Sequence, residues 1–268
     1  MPNRKFTVAI LVSTYNWPEA LELVLKSVIA QTVLPNEVLI ADDGSREETQ
    51  KLIAAYTEKF AAIGIPVKHA WHEDNGFRKC PVLNKAVKLA EADYIIEIDG
   101  DIILDRRFIA DHLRYAKRGI FVQGSRAMIG EAKTNELIQN KSIDLHPLSK
   151  GLYTRFNSYR IPLLANFYNT KPTDPFNVKG CNLAFWREDY IKVNGYNNDF
   201  KGWGWEDYEF ASRLINAGIL KKRVKMVAIM YHLWHAQNSR GNYKPNEVIY
   251  RNTLDNKLAY CSNGYAQS

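Results

Sequence analysis

Two aspartates one residue apart, Asp99 and Asp101 in "IDGDI", follow a strongly apolar stretch of this 268-residue chain. Carboxylates at such a spacing can share a divalent cation and the phosphate groups it carries, and hard oxygen ligands suit magnesium or manganese. Asp and Gly also make ordinary turns, so the pair alone does not decide between the two. Near the other end, "YHLWH" carries His232 and His235, either of which could complete a cation site begun by Asp101. In an extended chain these two imidazoles face opposite ways, and only a turn at Leu233 and Trp234 brings both round. A third group, "KGWGWEDYEF" (residues 201–210), sets Glu206 and Asp207 beside Trp203 and Trp205. A carboxylate at a helix start can act as a general base, and the helix terminus is expected to hold Asp207 ionised near neutral pH. The bland alternative is a capped helix beside a tryptophan-filled core. "ADDGS" offers Asp43 to a base or ribose, or merely a turn. "NGFRKC" offers Arg78 to a phosphate, or a solvated cation.

These residues need a scaffold, and the hydrophobic pattern supplies one. "TVAILVSTYN", "EVLIADDGS", "PVKHAWHED" and "YIIEIDGDI" read as four strands. They are separated by helices opening at Pro18, spanning about Glu47 to Ile63, and opening at Pro81. Such alternation predicts an α/β fold, a mostly parallel sheet flanked by helices. Ligands then bind at the carboxyl ends of the strands, where Thr14-Tyr15-Asn16, Asp42-Asp43, Asp74-Asn75 and Asp99-Gly100-Asp101 fall. Further along, a helix from about Arg106 to Lys117 and strands "IFVQGS", "NLAFWRE" and "VKMVAIMYHLWH" are expected, with a helix over 206–217. From Gly130 to Lys179 the pattern predicts loops with short helices. From Asn242 onward it predicts a polar, partly disordered tail.

Composition narrows the chemistry. The net charge of +7 and the pI near 9.1 favour anionic partners. Interleaved basic and aromatic stretches of the nucleic-acid-binding kind are missing, so no nucleic-acid partner is expected. Three widely spaced cysteines fit a reducing compartment, and the N-terminal apolar run reads as a strand, not a leader. A cytoplasmic protein, in peripheral contact with the inner face of a membrane, is the expected setting. No GxGxxG or GxxxxGK[ST] is present, which argues against dehydrogenases and P-loop enzymes.

Taken together, "VSTYN", "SVIAQTVLPNEVLIADDGS", "NGFRKCPVLNKAV" and "YIIEIDGDI" resemble the family 2 glycosyltransferases of GT-A fold over roughly residues 6–125. "NVKGCNLAFWRE", "GWGWED" and "YHLWH" look like the C-terminal part of β-1,4-galactosyltransferases and of the chondroitin-polymerase type of bacterial transferase. The resemblance divides one domain into a nucleotide-sugar half, 1–125, and an irregular acceptor-binding and catalytic half, 126–268. It implies inverting transfer of a hexose or N-acetylhexosamine from a UDP-sugar to a glycan or lipid-linked glycan, with Mn2+ or Mg2+, in surface polysaccharide synthesis. On it, Thr14, Tyr15, Asn16 and Asp43 hold uridine, while Arg78 and Asn84 lie over the nucleotide. Asp101 with His232 and His235 holds the metal, Asp207 is the base, Glu206 orients sugar or acceptor, and Trp203 closes over the donor. Asn75, Asp99, Gly100, Gly204 and Trp205 complete the substrate-binding set. Two departures stand out: Trp205 where relatives have a second glycine, and Leu83 where many have an arginine. A non-catalytic nucleotide-sugar-binding module is the alternative, and nothing in the sequence specifies an oligomeric state.

Overall fold

The structure, a computed structural model, describes residues 6–168, 171–236 and 241–268. The basic N-terminal start (1–5) and positions 169 and 170 of the expected irregular stretch lie outside the described residues. The first half runs β1 (Val8–Thr14), α1 (Pro18–Ile29), β2 (Glu37–Asp42), α2 (Glu47–Ala61), β3 (Val67–Trp71), α3 (Lys79–Leu89) and β4 (Tyr94–Asp99). Then follow β5 (Ile102–Leu104), α4 (Phe108–Tyr115), β6 (Ile120–Gln123), β7 (Arg126–Ile129), α5 (Glu131–Gln139) and β8 (Leu152–Tyr153). The remainder holds β9 (Leu183–Trp186), α6 (Arg187–Lys192), α7 (Glu206–Asn216), β10 (Leu220–Arg223), β11 (Met230–His232) and α8 (Tyr243–Asp255).

The main sheet has the order β10-β6-β9-β4-β1-β2-β3. Strands β1, β2, β3 and β4 are parallel neighbours, and β9 inserts antiparallel between β4 and β6. Both faces are covered, so β1 is apolar throughout rather than alternating. Val8, Ile10 and Val12 pack toward Leu21, Val24, Tyr56, Phe60 and Phe108, from α1, α2 and α4. Ala9 and Leu11 point to the other layer, with Val82, Leu83 and Ala86 of α3 and Phe210 and Leu214 of α7. The register puts Thr14 opposite Asp42 and Ser13 opposite Asp99, so the polar ends of three strands finish level. A second sheet, β5-β11-β7-β8, pairs β11 with β5 and aligns His232 with Ile102, next to Asp101.

Three expectations change. Helix α3 begins at Lys79, two residues before Pro81, because N–H groups of a first turn need no helical acceptor and a proline is tolerated there. The late strand shrinks to Met230–His232. The tail is ordered: α8 buries Tyr250, and the Asn246 amide donates to the carbonyls of Lys201 and Gly204. Tertiary partners, not helical periodicity, fix this segment. Among the described residues no helix is long and apolar enough to cross a membrane.

Candidate active site

The first wall of the site is built from the ends of β1, β2 and β3. The Asp43 N–H donates to the Thr14 carbonyl at 3.0 Å. Its carboxylate pairs with His72 Nε2 at 2.7 Å and accepts the Arg78 N–H at 2.8 Å. Asn16 takes a left-handed conformation, φ 46°, and its Oδ1 accepts the Arg46 N–H. The half-exposed Tyr15 hydroxyl donates to Asp74 at 2.8 Å. Beside this wall, Asn75, Arg78 and Trp203 line one cavity of about 440 Å³, which Asn242 helps to close. The Gly202 N–H donates to the Phe77 carbonyl at 3.1 Å, tying the 201–205 loop to the 74–78 loop. Arg78, Asn75 and Trp203, far apart in sequence, thus share a cleft.

At the end of β4 the backbone crosses close to β1. A Cβ on Gly100 would lie 2.8 Å from the Ser13 carbonyl, so only glycine fits between the two aspartates. Asp99 is held by the Ser13 hydroxyl at 2.9 Å and by the Lys79 ammonium at 2.6 Å. Burial works to raise its carboxyl, but Lys79 outweighs it and holds Asp99 below the ordinary range. Asp101 turns the other way. Its Oδ2 lies 3.3 Å from His235 Nε2 and 3.7 Å from His232 Nε2. Each imidazole donates its Nδ1–H to a backbone carbonyl, of Leu233 and Ala236, at 2.7 Å, which orients each Nε2 toward Asp101. The chain leaves the strand after His232, so both imidazoles come round. Asp101 Oδ1 is sheltered from solvent and has no hydrogen-bond partner. Three ligand atoms lie within 4.8 Å of one another, and with that orphaned oxygen the residues fit a hard divalent cation.

The third element is a charged cluster beneath the 3-10 helix Gly180–Asn182. Asp207, at the start of α7, accepts the Gly180 N–H at 2.7 Å, and the Tyr196 hydroxyl lies 3.5 Å from its other oxygen. That hydroxyl donates to Glu97 at 3.0 Å. A Cβ on Gly180 would lie 2.7 Å from Asp207 and 2.8 Å from Glu97, so the backbone needs a glycine to wedge between the carboxylates. Lys79 reaches in from α3. Burial disfavours its charged form, yet Asp99, Asp207 and Glu97 hold it well above the ordinary lysine range. Burial raises Asp207, against the pull of Lys79 and of the Gly180 N–H. The expected dominance of the helix terminus is thereby corrected: desolvation outweighs it. A carboxylate shifted upward is a better proton acceptor near neutrality.

With this geometry in view, the comparisons with known proteins are specific. The sequence signature of glycosyl transferase family 2 matches residues 9–190. The chain belongs to that family. The reaction class that names the family is glycosyl transfer. A second signature, described as the N-terminal domain of galactosyltransferase, matches residues 162–236 of this family 2 chain. The chondroitin synthase of Pasteurella multocida is 27% identical over 81% of the chain, and the chain spans only 24% of that protein's length. Validoxylamine A glucosyltransferase of Streptomyces hygroscopicus subsp. limoneus is 24% identical over 79% of the chain and 48% of its own. Among solved structures, the mannosyltransferase PcManGT of Pyrobaculum calidifontis, in complex with GDP-Man and Mn2+, superposes with a TM-score of 0.58 at 17% identity. The match covers 86% of this chain and 58% of that one. The fold is GT-A.

Against that family pattern, four residues behave differently from expectation. Asn84 does not face the cleft. Its amide donates to the Tyr196 carbonyl and Asn198, and its oxygen accepts from Tyr190 and from the Tyr196 N–H. All four hydrogen-bonding positions are used inside the protein, so Asn84 positions the Tyr196 segment. Glu206 is buried and its carboxylate turns back to accept the Gly204 N–H at 2.8 Å, fixing the loop. Burial, then Asp207, push Glu206 up to about 7. Gly204 is buried under Tyr243 of α8. Trp205 has φ 73°, the left-handed region that favours glycine. Its indole stacks on Tyr250 at 5.0 Å and leans on Tyr243 and Tyr208. Trp205 therefore joins the 201–205 loop to α8. Sequence reasoning counts Lys79 only as part of a locally basic region with Lys85 and Lys88, and passes over Glu97, Tyr196, Ser13 and His72. "EID" did show Glu97 breaking an apolar strand, and that was the available signal.

Proposed function

We propose that this chain is an inverting, metal-assisted transferase that moves a hexose or N-acetylhexosamine from a UDP-sugar to a hydroxyl of a glycan or lipid-linked glycan. Surface polysaccharide synthesis at the inner face of a membrane is the setting this reading favours. One observation carries it: Asp101, His232 and His235 converge at the end of β4, and Asp207 stands across Lys79 and Asp99 from them. In this reading the Asp43 carboxylate and the carboxyl ends of β1 and β2 seat the uridine, and Trp203 and Arg78 cover the donor. Asp101, His232 and His235 hold Mn2+ or Mg2+, which supplies a counter-charge for the departing diphosphate. The mannosyltransferase of similar fold was solved with Mn2+, and this supports the choice of ion. Asp207 takes the proton from the acceptor hydroxyl as its oxygen attacks the anomeric carbon. One base and one displacement invert the configuration. Lys79 keeps Glu97 and Asp99 from pressing excess negative charge on Asp207, and the Gly180 N–H fixes its orientation.

A donor panel of UDP-hexoses, UDP-N-acetylhexosamines and GDP-mannose, with manganese, tests this reading. Release of UDP from one of the UDP-sugars, slowed by chelation, is the expected outcome, with the product anomer inverted by NMR. Release of GDP alone, or a retained anomer, contradicts it. Transfer of any kind dismisses the non-catalytic binding module.

A further inference from the structure

A second cavity, of about 370 Å³, is lined by Arg126, Lys179, Arg223 and Lys225, and by no aspartate or glutamate. Its cations come from separated stretches of sequence: the start of β7, the loop before the 3-10 helix Gly180–Asn182, the end of β10 and the turn after it. Among the described residues, neither Arg126, Lys179 nor Lys225 pairs with a carboxylate. Arg126 reaches only the Cys181 sulfur, at 3.8 Å, and Lys225 lies over the Tyr168 ring. The Ser125 hydroxyl in the same wall is sheltered from solvent without a hydrogen-bond partner. Burial, and then Arg126, hold Lys179 below the ordinary lysine range. Crowded like charges are unfavourable by themselves and become favourable around an anion.

The fold says which substrate the anion belongs to. In the order β10-β6-β9-β4-β1-β2-β3, Asp43 and the nucleotide wall lie on one side of β4, and this cavity, at the ends of β6 and β10, on the other. The wall residues Lys179 and Cys181 flank Gly180, whose N–H holds Asp207. Resting on the transfer reading above, we propose that this cavity is an acceptor subsite for an anionic group, a carboxylate or phosphate ester carried on the glycan beside the attacking hydroxyl. The guanidinium fork of Arg126 offers paired donors to such an oxyanion, and Arg223, Lys179 and Lys225 add positive charge to the same wall. The enzyme then selects acidic acceptors over neutral ones.

Calorimetric titration separates this subsite from the donor site. The full chain, saturated with UDP and Mn2+, is titrated with p-nitrophenyl β-D-glucuronide, with the corresponding glucoside 6-phosphate and with the neutral glucoside. At least one charged ligand binds roughly tenfold or more tightly than the neutral one, and whichever binds tighter names the anion. The Arg126→Gln/Lys225→Gln variant loses about ten- to a hundredfold of that affinity while the neutral glucoside is unaffected. Equal affinities in the unsubstituted protein overturn the proposal. So does displacement of the charged ligands by UDP and Mn2+, which assigns the cavity to the donor diphosphate. Both of these arms need no variant. If UDP and Mn2+ themselves do not bind, the transfer reading fails, and the charged-to-neutral ratio measured without them still decides the subsite.

Discussion

Asp101 and Asp207 are both partly buried carboxylates, and the protein treats them in opposite ways. Asp207 is served from within: a backbone N–H at 2.7 Å, a tyrosine hydroxyl nearby and the Lys79 ammonium in its field. Asp101 faces two imidazole Nε2 atoms with one oxygen, and its other oxygen has no hydrogen-bond partner. The first arrangement orients and tunes a group that works alone. The second makes sense as part of a coordination shell. A transferase needs one of each, since proton removal and stabilisation of a leaving diphosphate are separate tasks.

The sharpest break of this comparison is Asp101→Ala. Calorimetry with UDP is expected to lose its metal dependence entirely, and an unchanged titration with and without Mn2+ contradicts the assignment of this cluster. Next comes the element joining the two regions. Lys79→Met leaves Glu97, Asp99 and Asp207 without their buried cation, at a cost of about 3–5 kcal/mol in stability by urea denaturation. A change near zero shows that the three carboxyls share protons instead. The smallest effect concerns the loop. Glu206 sits at about 7 in the folded chain against an ordinary 4.5. Because the folded value is raised, the stabilisation is present at acid pH and fades as pH climbs from about 4.5 through 7. The loss is of order 3 kcal/mol. Glu206→Gln, which keeps an acceptor for the Gly204 N–H, flattens that slope. Parallel pH–stability curves for the two proteins refute the claim.

The sequence and the structure agree most closely where local pattern decides the outcome. Buried parallel strands announce themselves as apolar runs, and their polar ends place Asp43, Asp99 and Asp101 without further information. The partners of those residues were not legible. Lys79, with Lys85 and Lys88, reads as a locally basic region suited to a phosphorylated ligand, and its turn inward onto Asp99 and Glu97 has no sequence signal. Tyr196 and Asn84 are joined across more than a hundred residues by hydrogen bonds that have no periodicity. For α8, no apolar stripe marks the segment, and its order comes from seating Asn246 and Tyr250 under the 201–205 loop. The same loop explains Trp205. That departure from the family pattern is a residue with left-handed backbone braced by an aromatic stack.

On the proposed function, donor holding and proton removal reside in different carboxylates. Asp207→Asn, assayed for turnover and for UDP affinity in Mn2+, tests it most directly. The account predicts a fall of about 10²–10⁴-fold in kcat with UDP affinity unchanged. Near-normal turnover, or a joint loss of turnover and UDP binding, contradicts it.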